Sequence, residues 1–536
     1  MLEQIFWKYA HFRDPPDMLN LVAFFLVLLP WLNPFAPGPS PAVGILLFSW
    51  TCATVLLWTS FGVAHIWTSA RLFAVVASSW LAAGLASSIL GLLQYFDAAA
   101  GLVPWVNQAA AGAAFANLRQ RNQFASLTNI ALLALIWFAG QYQTSVHSSS
   151  EKNTSTNRPI HKNLQQVGAW FLLFCAALLS AGNAASSSRT GGVQLALLLA
   201  SGCWWGGLRR GVVSRVLLVA LASFVICAIT LPWLAGFDPA GYGILSRLRA
   251  GDEVCASRLT LWSNVLHLIA QKPWFGWGWG ELDYAHYMTL YGGPRFCDIL
   301  DNAHNLPLHL AVELGVPFAL LVCGGFVWWV WRQRPWRESD PGRQLAWTVI
   351  ALILLHSMLE YPLWYGPFQM AFGFCLLILW RTRKTATEAG FSFKHALNSP
   401  VAIAVRRFVA PALIVVLLCA AWEYHRISQI YLPPEERDLA YRQDTLAKIR
   451  GSRLFSDQVQ FAELMLTPLT RDNAQWTFDS ASALLHFSPE PRVIEKVIES
   501  AVFLGRDEDA MMQMVRYRAA FPEAYARWLP TRTLTR

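Results

Sequence analysis

The sequence predicts an all-α polytopic membrane protein, and three features of its composition lead to that class. Of its 536 residues, 55% are hydrophobic and 14% are charged, and the mean hydropathy is +0.36. Soluble domains carry roughly 25% charged residues, so this chain cannot hide its apolar surface in one soluble core. The 26 tryptophans fit the same class, because indole rings favour the membrane–water interface.

Hydrophobic segments recur along most of the chain, and a spanning helix needs about 20 mostly apolar residues. Most basic residues flank these segments, which accounts for the net charge of +9 without a nucleic-acid partner. We predict about 11 spans, at 18–35, 42–61, 72–95, 124–140, 167–182, 192–207, 216–236, 305–331, 345–360, 366–380 and 404–422.

Lysines and arginines in the short loops predict the orientation. They are frequent in one set of loops, whereas the alternate loops at 33–41 and 361–365 contain none. The positive-inside rule therefore places the N-terminus in the cytoplasm, and an odd number of spans places residues 423–536 outside. The longest outer loop is then 237–304, and the polar stretch 144–163 is expected to be a flexible cytoplasmic loop.

The region after the last span has a different composition, with frequent charges and apolar residues at helical spacing. Residues 493–522 read as two amphipathic helices with a turn at 504–507, similar to one tetratricopeptide-like hairpin. No tandem repeat of fixed period is visible. Such a module could receive an acceptor protein or could only brace the outer loop, and the sequence leaves both open.

Basic residues in the outer loops run against the positive-inside trend. Binding of an anion at the outer face would explain them, and chance is the alternative for any single residue. They are Arg119, Arg121, Arg189, Arg247, Arg249, Arg258 and Arg295.

Two cysteines, Cys255 and Cys297, lie in the long outer loop, whereas the other seven fall within predicted spans. The space outside the inner membrane is oxidising, so this pair is expected to form a disulfide that closes the loop. Two free thiols are the alternative.

His304 precedes an apolar helix at the predicted membrane surface and has three interpretations. With Asp298 and Asp301 it could form a metal site, but metal sites usually offer more ligands than this. As a neutral imidazole it could act as a general base oriented by a carboxylate such as Asp301. It could also simply cap the helix, which periodicity alone favours.

Three motifs bring in a family resemblance. They are LRQRNQFA at 118–125, DNAHNLPLHLAVELGVP at 301–317 and HSMLEYPLWY at 356–365. The second resembles the outer-loop signature of the O-antigen ligase and polymerase superfamily. The others resemble the branch of bacterial O-linked oligosaccharyltransferases of the PglL type. The resemblance spans most of 18–422 and implies a GT-C-like transmembrane catalytic domain at 1–422, with a periplasmic helical domain at 423–536.

The resemblance also implies a reaction. A glycan assembled on undecaprenyl pyrophosphate would be moved en bloc to a Ser or Thr hydroxyl of a periplasmic or pilin protein. The site would face the periplasm at the bacterial inner membrane. No metal or other cofactor is expected, because arginines would neutralise the pyrophosphate.

Residue roles follow from the same resemblance. His304 would be the base, and Arg189 and Arg258 would bind the pyrophosphate. Gln123 and Tyr361 match polar positions of the motifs, with Gln120 and Tyr365 as close competitors. The remaining candidates are Arg121, Asp301 and Glu360, of which Glu360 could hold either Arg189 or Arg258.

Two alternatives remain. O-antigen ligase and O-antigen polymerase share the donor and the outer-face site, but the EYPLWY block and the C-terminal helices favour protein acceptors. A lipid-glycan flippase would need charged residues along a path through the spans. Here the predicted spans are almost free of Lys, Asp and Glu except at their ends, which favours chemistry at one membrane surface.

Overall fold

The computed structural model describes residues 18–36, 38–62, 69–152, 158–207, 211–249, 254–382 and 404–533. Every long regular element in these ranges is a helix, as the composition predicts. The first part of the chain forms α1 (Met18–Leu32), α2 (Pro41–Gly62), α3 (Ser69–Tyr95), α4 (Arg121–Lys152), α5 (Arg158–Ala185), α6 (Arg189–Trp204) and α7 (Gly211–Leu234).

Short helices fill the predicted outer loop, and longer ones follow. This part of the chain, called the outer segment after its predicted side of the membrane, contains α8 (Gly243–Arg249), α9 (Arg258–Gln271), α10 (Leu282–Met288) and α11 (Leu306–Leu314). The bundle is completed by α12 (Val316–Gln333), α13 (Pro341–Ser357), α14 (Gly366–Arg381) and α15 (Ala410–Ser428). The C-terminal region contains α16 (Thr445–Ile449), α17 (Ser456–Leu466), α18 (Ala474–Leu484), α19 (Pro491–Phe503), α20 (Asp507–Ala520) and α21 (Pro522–Thr533).

Within the described ranges, six helices are long enough and apolar enough to cross a bilayer. α1 and α14 are apolar but shorter, with 15 and 16 residues. The chain is therefore a polytopic helical membrane protein, whereas the predicted count of about 11 spans remains a prediction. The inner membrane, the cytoplasmic N-terminus and the periplasmic C-terminus also remain predictions.

The predicted span at 305–331 is wrong as a single helix, because the chain breaks at Gly315 into α11 and α12. Gly315 has φ +90°, and a Cβ there would lie 2.1 Å from the carbonyl oxygen of Trp274. The close approach is fixed by a hydrogen bond from the Val316 amide to the Pro273 carbonyl, 2.8 Å long. Only glycine permits this break.

The predicted loop at 144–163 is also wrong in the part that the structure describes. α4 continues to Lys152 and α5 already begins at Arg158, while 153–157 lie outside the described residues. No glycine or proline occurs between 144 and 152, so nothing in this polar stretch ends the helix.

The buried core of the bundle runs through α3, α4, α5, α6, α7, α13 and α14, and it includes the fully buried Trp80, Phe124 and Leu135. A separate core joins the C-terminal helices, and Tyr287 of α10 belongs to it. The Tyr287 hydroxyl donates to Oε1 of Gln513 at 2.7 Å, and His486 Nδ1 lies 2.7 Å from Oε2 of Glu281. The C-terminal helices thus brace the outer segment, and reception of an acceptor protein stays open.

Candidate active site

A single carboxylate, that of Glu360, brings distant parts of the chain together. Glu360 follows α13 in the loop before α14, and only 8% of its surface is exposed. Its Oε1 accepts a hydrogen bond from Nη2 of Arg258 at 2.6 Å, and its Oε2 lies 2.9 Å from Nδ1 of His304. Arg258 is the first residue of α9, and His304 lies in the turn before α11. Three segments therefore converge on one side chain.

Two amides complete the surroundings of this carboxylate. Nε2 of Gln120 donates to Oε2 of Glu360 at 3.3 Å, and Nδ2 of Asn122 donates to Oε1 at 3.2 Å. A nearly buried carboxylate is costly unless its lone pairs are occupied, and these four partners occupy them. Burial alone would raise the pKa of Glu360, but the hydrogen bond from His304 and the charges of His304 and Arg258 hold it below its usual value.

The backbone at His304 takes the left-handed conformation, with φ +50°, which non-glycine residues adopt rarely. Neighbouring asparagines hold it there. The His304 amide donates to Oδ1 of Asn302 at 2.9 Å, and Oδ1 of Asn305 caps α11 by accepting from the Leu308 amide at 3.2 Å. Nδ2 of Asn305 also donates to the carbonyl of Met358, two residues before Glu360, at 3.3 Å. The motif therefore fixes His304 toward Glu360.

A second histidine, His309, hydrogen-bonds the residue before His304 and so supports this turn. Nδ1 of His309 accepts from the Ala303 amide at 3.5 Å, and its Nε2 lies 3.4 Å from Oε2 of Glu313. Nε1 of Trp262 donates to the Ala303 carbonyl at 3.2 Å. His309 and Glu313 are both buried, so the pair is a fixed contact inside the outer segment.

The two ring nitrogens of His304 have different roles. An ionised carboxylate only accepts hydrogen bonds, so Nδ1 must carry the proton that faces Glu360. In the neutral form of the ring, Nε2 is then the basic nitrogen, and no partner for it occurs in the described ranges of the chain. The imidazole is 17% exposed, and the ring of Tyr361 packs edge-on against it with centroids 5.0 Å apart. This arrangement leaves a general base accessible from one side.

Arg189 is the first residue of α6 and is exposed. Its neighbour Ser188 caps that helix, because the Gly191 amide donates to the Ser188 hydroxyl oxygen at 2.9 Å. The same hydroxyl donates to Oδ1 of Asn122 at 2.6 Å, and Asn122 reaches Glu360 as described above. A helix N-terminus carrying an arginine suits an anion, and this chain of contacts connects it to the carboxylate.

Arg247 lies next to the start of α6. From the sequence, it is only one of the basic residues that run against the positive-inside trend. Its Nη1 donates to the carbonyl of Ser187 at 3.1 Å. Ser187 itself has φ +50°, so the Ser-Ser-Ser-Arg turn is tightly constrained. The available signal was a basic residue on the outer side against the charge trend, which the sequence could not separate from chance.

Asp301 is not the carboxylate that pairs with His304, and that prediction is wrong. Glu360 takes the position, because the left-handed turn at His304 directs its Nδ1 to the loop after α13. Burial raises the pKa of Asp301, and the charge of His304 partly opposes this.

The competing motif positions are also resolved in space. Gln120 reaches Glu360, whereas Gln123 is buried. Tyr361 contacts His304 and lies with its ring 6.2 Å from that of Tyr365. Arg121 is half-buried at the start of α4.

Cys255 and Cys297 form a disulfide with their Cα atoms 5.2 Å apart. The amide of Cys297 also donates to the Cys255 carbonyl at 3.3 Å. This link joins the chain just before α9 to the loop that leads toward His304. Among the described residues, no group of three or more His, Cys, Asp or Glu is arranged to hold a metal ion.

Family models match three successive parts of the chain. Residues 114–139 match a model described as protein glycosylation ligase, and 174–323 match one described as O-antigen ligase. Residues 344–534 match a model described as virulence factor membrane-bound polymerase, C-terminal. The second match contains His304, Arg258 and Arg189, and the third contains Glu360.

Two curated relatives come from Acinetobacter baylyi. A general O-oligosaccharyltransferase is 23% identical over 188 residues, which is 35% of this chain and 30% of the relative. A ComP-specific O-oligosaccharyltransferase is 25% identical over 266 residues, which is 49% of this chain and 43% of the relative. The chain thus aligns with less than half the length of each relative.

These matches confirm the resemblance of the chain to bacterial O-linked oligosaccharyltransferases of the PglL type within the O-antigen ligase superfamily. No solved structure is significantly similar to the chain. The GT-C-like architecture therefore stays a prediction.

Proposed function

We propose that this chain transfers a preassembled glycan en bloc from undecaprenyl pyrophosphate to a Ser or Thr hydroxyl of a periplasmic or pilin protein. The observation that carries the proposal is the joint attachment of His304 and Arg258 to Glu360. Glu360 thereby holds a proton acceptor, His304, next to a cation that can bind a phosphate, Arg258. Glycosyl transfer from a lipid pyrophosphate needs both within reach of the anomeric carbon.

The proposed step uses Nε2 of His304 as the base. It accepts the proton of the acceptor hydroxyl while that oxygen forms a bond to the anomeric carbon of the glycan. The bond between this carbon and the pyrophosphate oxygen breaks, and the leaving group keeps the electron pair. Glu360 stabilises the imidazolium that results, because its ionised carboxylate lies 2.9 Å from Nδ1.

Guanidinium groups would bind the leaving pyrophosphate. The Arg258 side chain is 33% exposed, so it can bind Glu360 and still present N–H groups to the donor. Arg189 offers a second cation at the start of α6, with the helix dipole oriented to favour an anion. We propose that these charges make a metal ion or other cofactor unnecessary.

The location of the site follows from the donor. A lipid-linked substrate must be met at the bilayer surface, and the proposed site lies in loops at one end of a helical bundle. We propose the periplasmic face of the bacterial inner membrane, with the acceptor protein approaching on the side of the C-terminal helices. The Tyr287–Gln513 contact would then connect acceptor binding with the outer segment.

A second candidate is glycan transfer to lipid A–core, since the O-antigen ligase model matches 174–323. The proposed chemistry at His304 would be the same and only the acceptor would differ. The protein-glycosylation match at 114–139 and the two relatives favour a protein acceptor.

The decisive experiment is a transfer assay with purified full-length chain, lipid-linked oligosaccharide, and either a pilin-like protein or lipid A–core. We expect glycosylated protein with the wild type and none above background with His304→Ala. His425→Ala is the matched control. Nε2 of His425 lies 2.8 Å from Oδ2 of Asp438, and this pair is not part of the candidate site. Transfer to lipid A–core alone would establish the second candidate, and equal activity of both variants would refute the role of His304.

A further inference from the structure

We propose that the end of the bundle opposite His304 binds an anionic glycerophospholipid, through an arginine cleft and an adjoining apolar groove. α13 connects the two ends, since Pro341 begins it and Glu360 follows its last turn. At 1.5 Å per residue, its 17 residues separate the cleft from the candidate active site by about 25 Å. The proposal therefore does not depend on the proposed transferase function.

The polar part of the site is an open cleft between the end of α12 and the start of α13. It has a volume of about 920 Å³, and its walls include Arg332, Arg334, Arg337, Glu338 and Asp340. Small-molecule sites usually measure about 300–1,000 Å³. A phosphoglycerol headgroup therefore fits the cleft.

The acidic residues of the cleft are already occupied within the protein. Oε2 of Glu338 accepts from Nε of Arg343 at 2.6 Å. Oδ1 of Asp340 caps α13 by accepting from the Arg343 amide at 2.8 Å. Nη1 of Arg343 donates further to the Leu379 carbonyl at 2.9 Å, so Arg343 is also engaged. Arg343 thus neutralises Glu338, and the three other arginines of the cleft outnumber the remaining carboxylate of Asp340.

The three other arginines are Arg332, Arg334 and Arg337. In the ranges that the structure describes, none of them has a carboxylate partner. Arg334 caps the C-terminal end of α12 in the left-handed conformation, with φ +51°. The dipole of α12 favours cations at this end, and guanidinium groups bind phosphate oxygens in pairs. Three arginines around one cleft thus suit a phosphate.

The apolar part is a smaller cavity of about 60 Å³ on the adjoining face of α13. Leu133, Leu198, Trp205 and Leu345 contribute to its walls, with Gly140 of α4 at one side. Asp340 and Arg343 line the cleft, whereas Pro341, Gln344 and Leu345 line the groove. At about 100° per residue these are neighbouring faces of one helix. A molecule with a polar head and an apolar tail could occupy both.

Two tryptophans connect the cleft with the groove. Nε1 of Trp204 donates to the carbonyl of Trp336 at 2.9 Å, which ties the end of α6 to the cleft loop. The next residue, Trp205, lines the groove. The phosphate and the acyl chain of one lipid therefore match the arginine cleft and the groove, which this contact brings together.

Exposed aromatic residues indicate that this end meets lipid. Trp204 and Trp331 are exposed by 70% and 64%, and indoles favour the headgroup region of a bilayer. The arginines therefore lie at the depth where phosphates are found. This position selects a membrane lipid over free phosphate as the source of the anion.

Native mass spectrometry of the full-length protein can test the proposal, with phosphatidylglycerol or phosphatidylcholine added at equal concentration. We expect one phosphatidylglycerol to be retained in preference to phosphatidylcholine. Arg334→Gln with Arg337→Gln should lower the phosphatidylglycerol-bound fraction at least fivefold. The matched control removes the same charge from the exposed Arg471 and Arg518 of the C-terminal region, and it should leave binding unchanged.

The groove is tested by Gly140→Leu, because a Cβ at Gly140 meets no atom within 4 Å and the longer side chain enters open space. It should also lower retention at least fivefold, while the circular dichroism spectrum stays at the wild-type level. Equal retention of the two lipids, or unchanged retention in the arginine variant, overturns the proposal. Unchanged retention in Gly140→Leu would show that the groove does not hold the lipid. If inorganic phosphate raised the melting temperature of the protein as much as phosphatidylglycerol does, a lipid would not be the specific ligand.

Discussion

His304 and Glu360 are 56 residues apart in sequence, yet Nδ1 of His304 lies 2.9 Å from Oε2 of Glu360. The same carboxylate holds Arg258 on its other oxygen at 2.6 Å. Glu360 thus orients the proposed base and a proposed phosphate ligand together. Loss of its charge should therefore impair both the proposed base and the proposed phosphate ligand.

Glu360→Gln keeps the size of the side chain but removes the negative charge that stabilises a protonated His304. We expect kcat for glycan transfer to fall about 100-fold or more, because general-base catalysis typically contributes that much. The measurement is a steady-state transfer assay with saturating donor. Glu463→Gln, which breaks the Arg450–Glu463 pair in the C-terminal region, should leave kcat unchanged. Equal effects of the two variants would contradict the assigned role.

Arg258→Lys separates charge from geometry at the second oxygen of Glu360. Lysine keeps the positive charge but cannot bind Glu360 and a phosphate with one planar group. We expect KM for the lipid-linked donor to rise about tenfold, which corresponds to the loss of about 1.4 kcal/mol of binding. Arg450→Lys is the matched control. An unchanged KM for the donor would argue that Arg258 only holds Glu360.

His309 should act as a positioning residue for the His304 turn. His309→Ala removes the acceptor of the Ala303 amide, whereas His309→Gln can still present an oxygen to it. We expect the alanine variant to lower kcat about tenfold or more with little change in the KM for donor, because misplacement of a base costs rate. The glutamine variant should recover most of this loss. If both variants were equally impaired, the Ala303 contact would not be the reason.

Asp283 should make stability depend on pH. Burial, and then the charges of Asp301 and Glu281, raise its pKa from 3.8 to about 7, although the hydrogen bond from the Tyr284 amide opposes the shift. The folded protein therefore keeps a proton that the unfolded chain releases. Its free energy of unfolding should fall as pH rises from 3.8 to about 7 and change no further above that.

Asp283→Asn keeps an acceptor for the Tyr284 amide, which donates to Oδ1 of Asp283 at 2.7 Å, but it cannot ionise. The melting temperature should therefore drop less between pH 5 and pH 8 in this variant than in the wild type. Asp298→Asn, at an exposed position of the same outer segment, should behave like the wild type. The same drop in both variants would show that Asp283 is not the titrating group.

Composition was sufficient to predict the helical membrane class, whereas the family resemblance carried by three motifs was needed to select His304, Arg258 and Glu360 as candidates. Hydrophobicity is a local property, and so is the length of an apolar run. The motifs were also local, because each is a short run of consecutive residues at one turn or helix end. The break at Gly315 was missed because a glycine in an apolar run does not by itself reveal which backbone approaches it.

Tertiary structure alone decided which side chains meet. Asp301 is three residues from His304, but Glu360 is its partner, since the left-handed turn at His304 determines where the ring points. Gln120 and Gln123 are three residues apart, and it is the amide of Gln120, just before α4, that reaches the carboxylate. Sequence fixes residue types and spacing, whereas partners far apart in the chain are chosen by the packing of whole helices, which no local pattern contains.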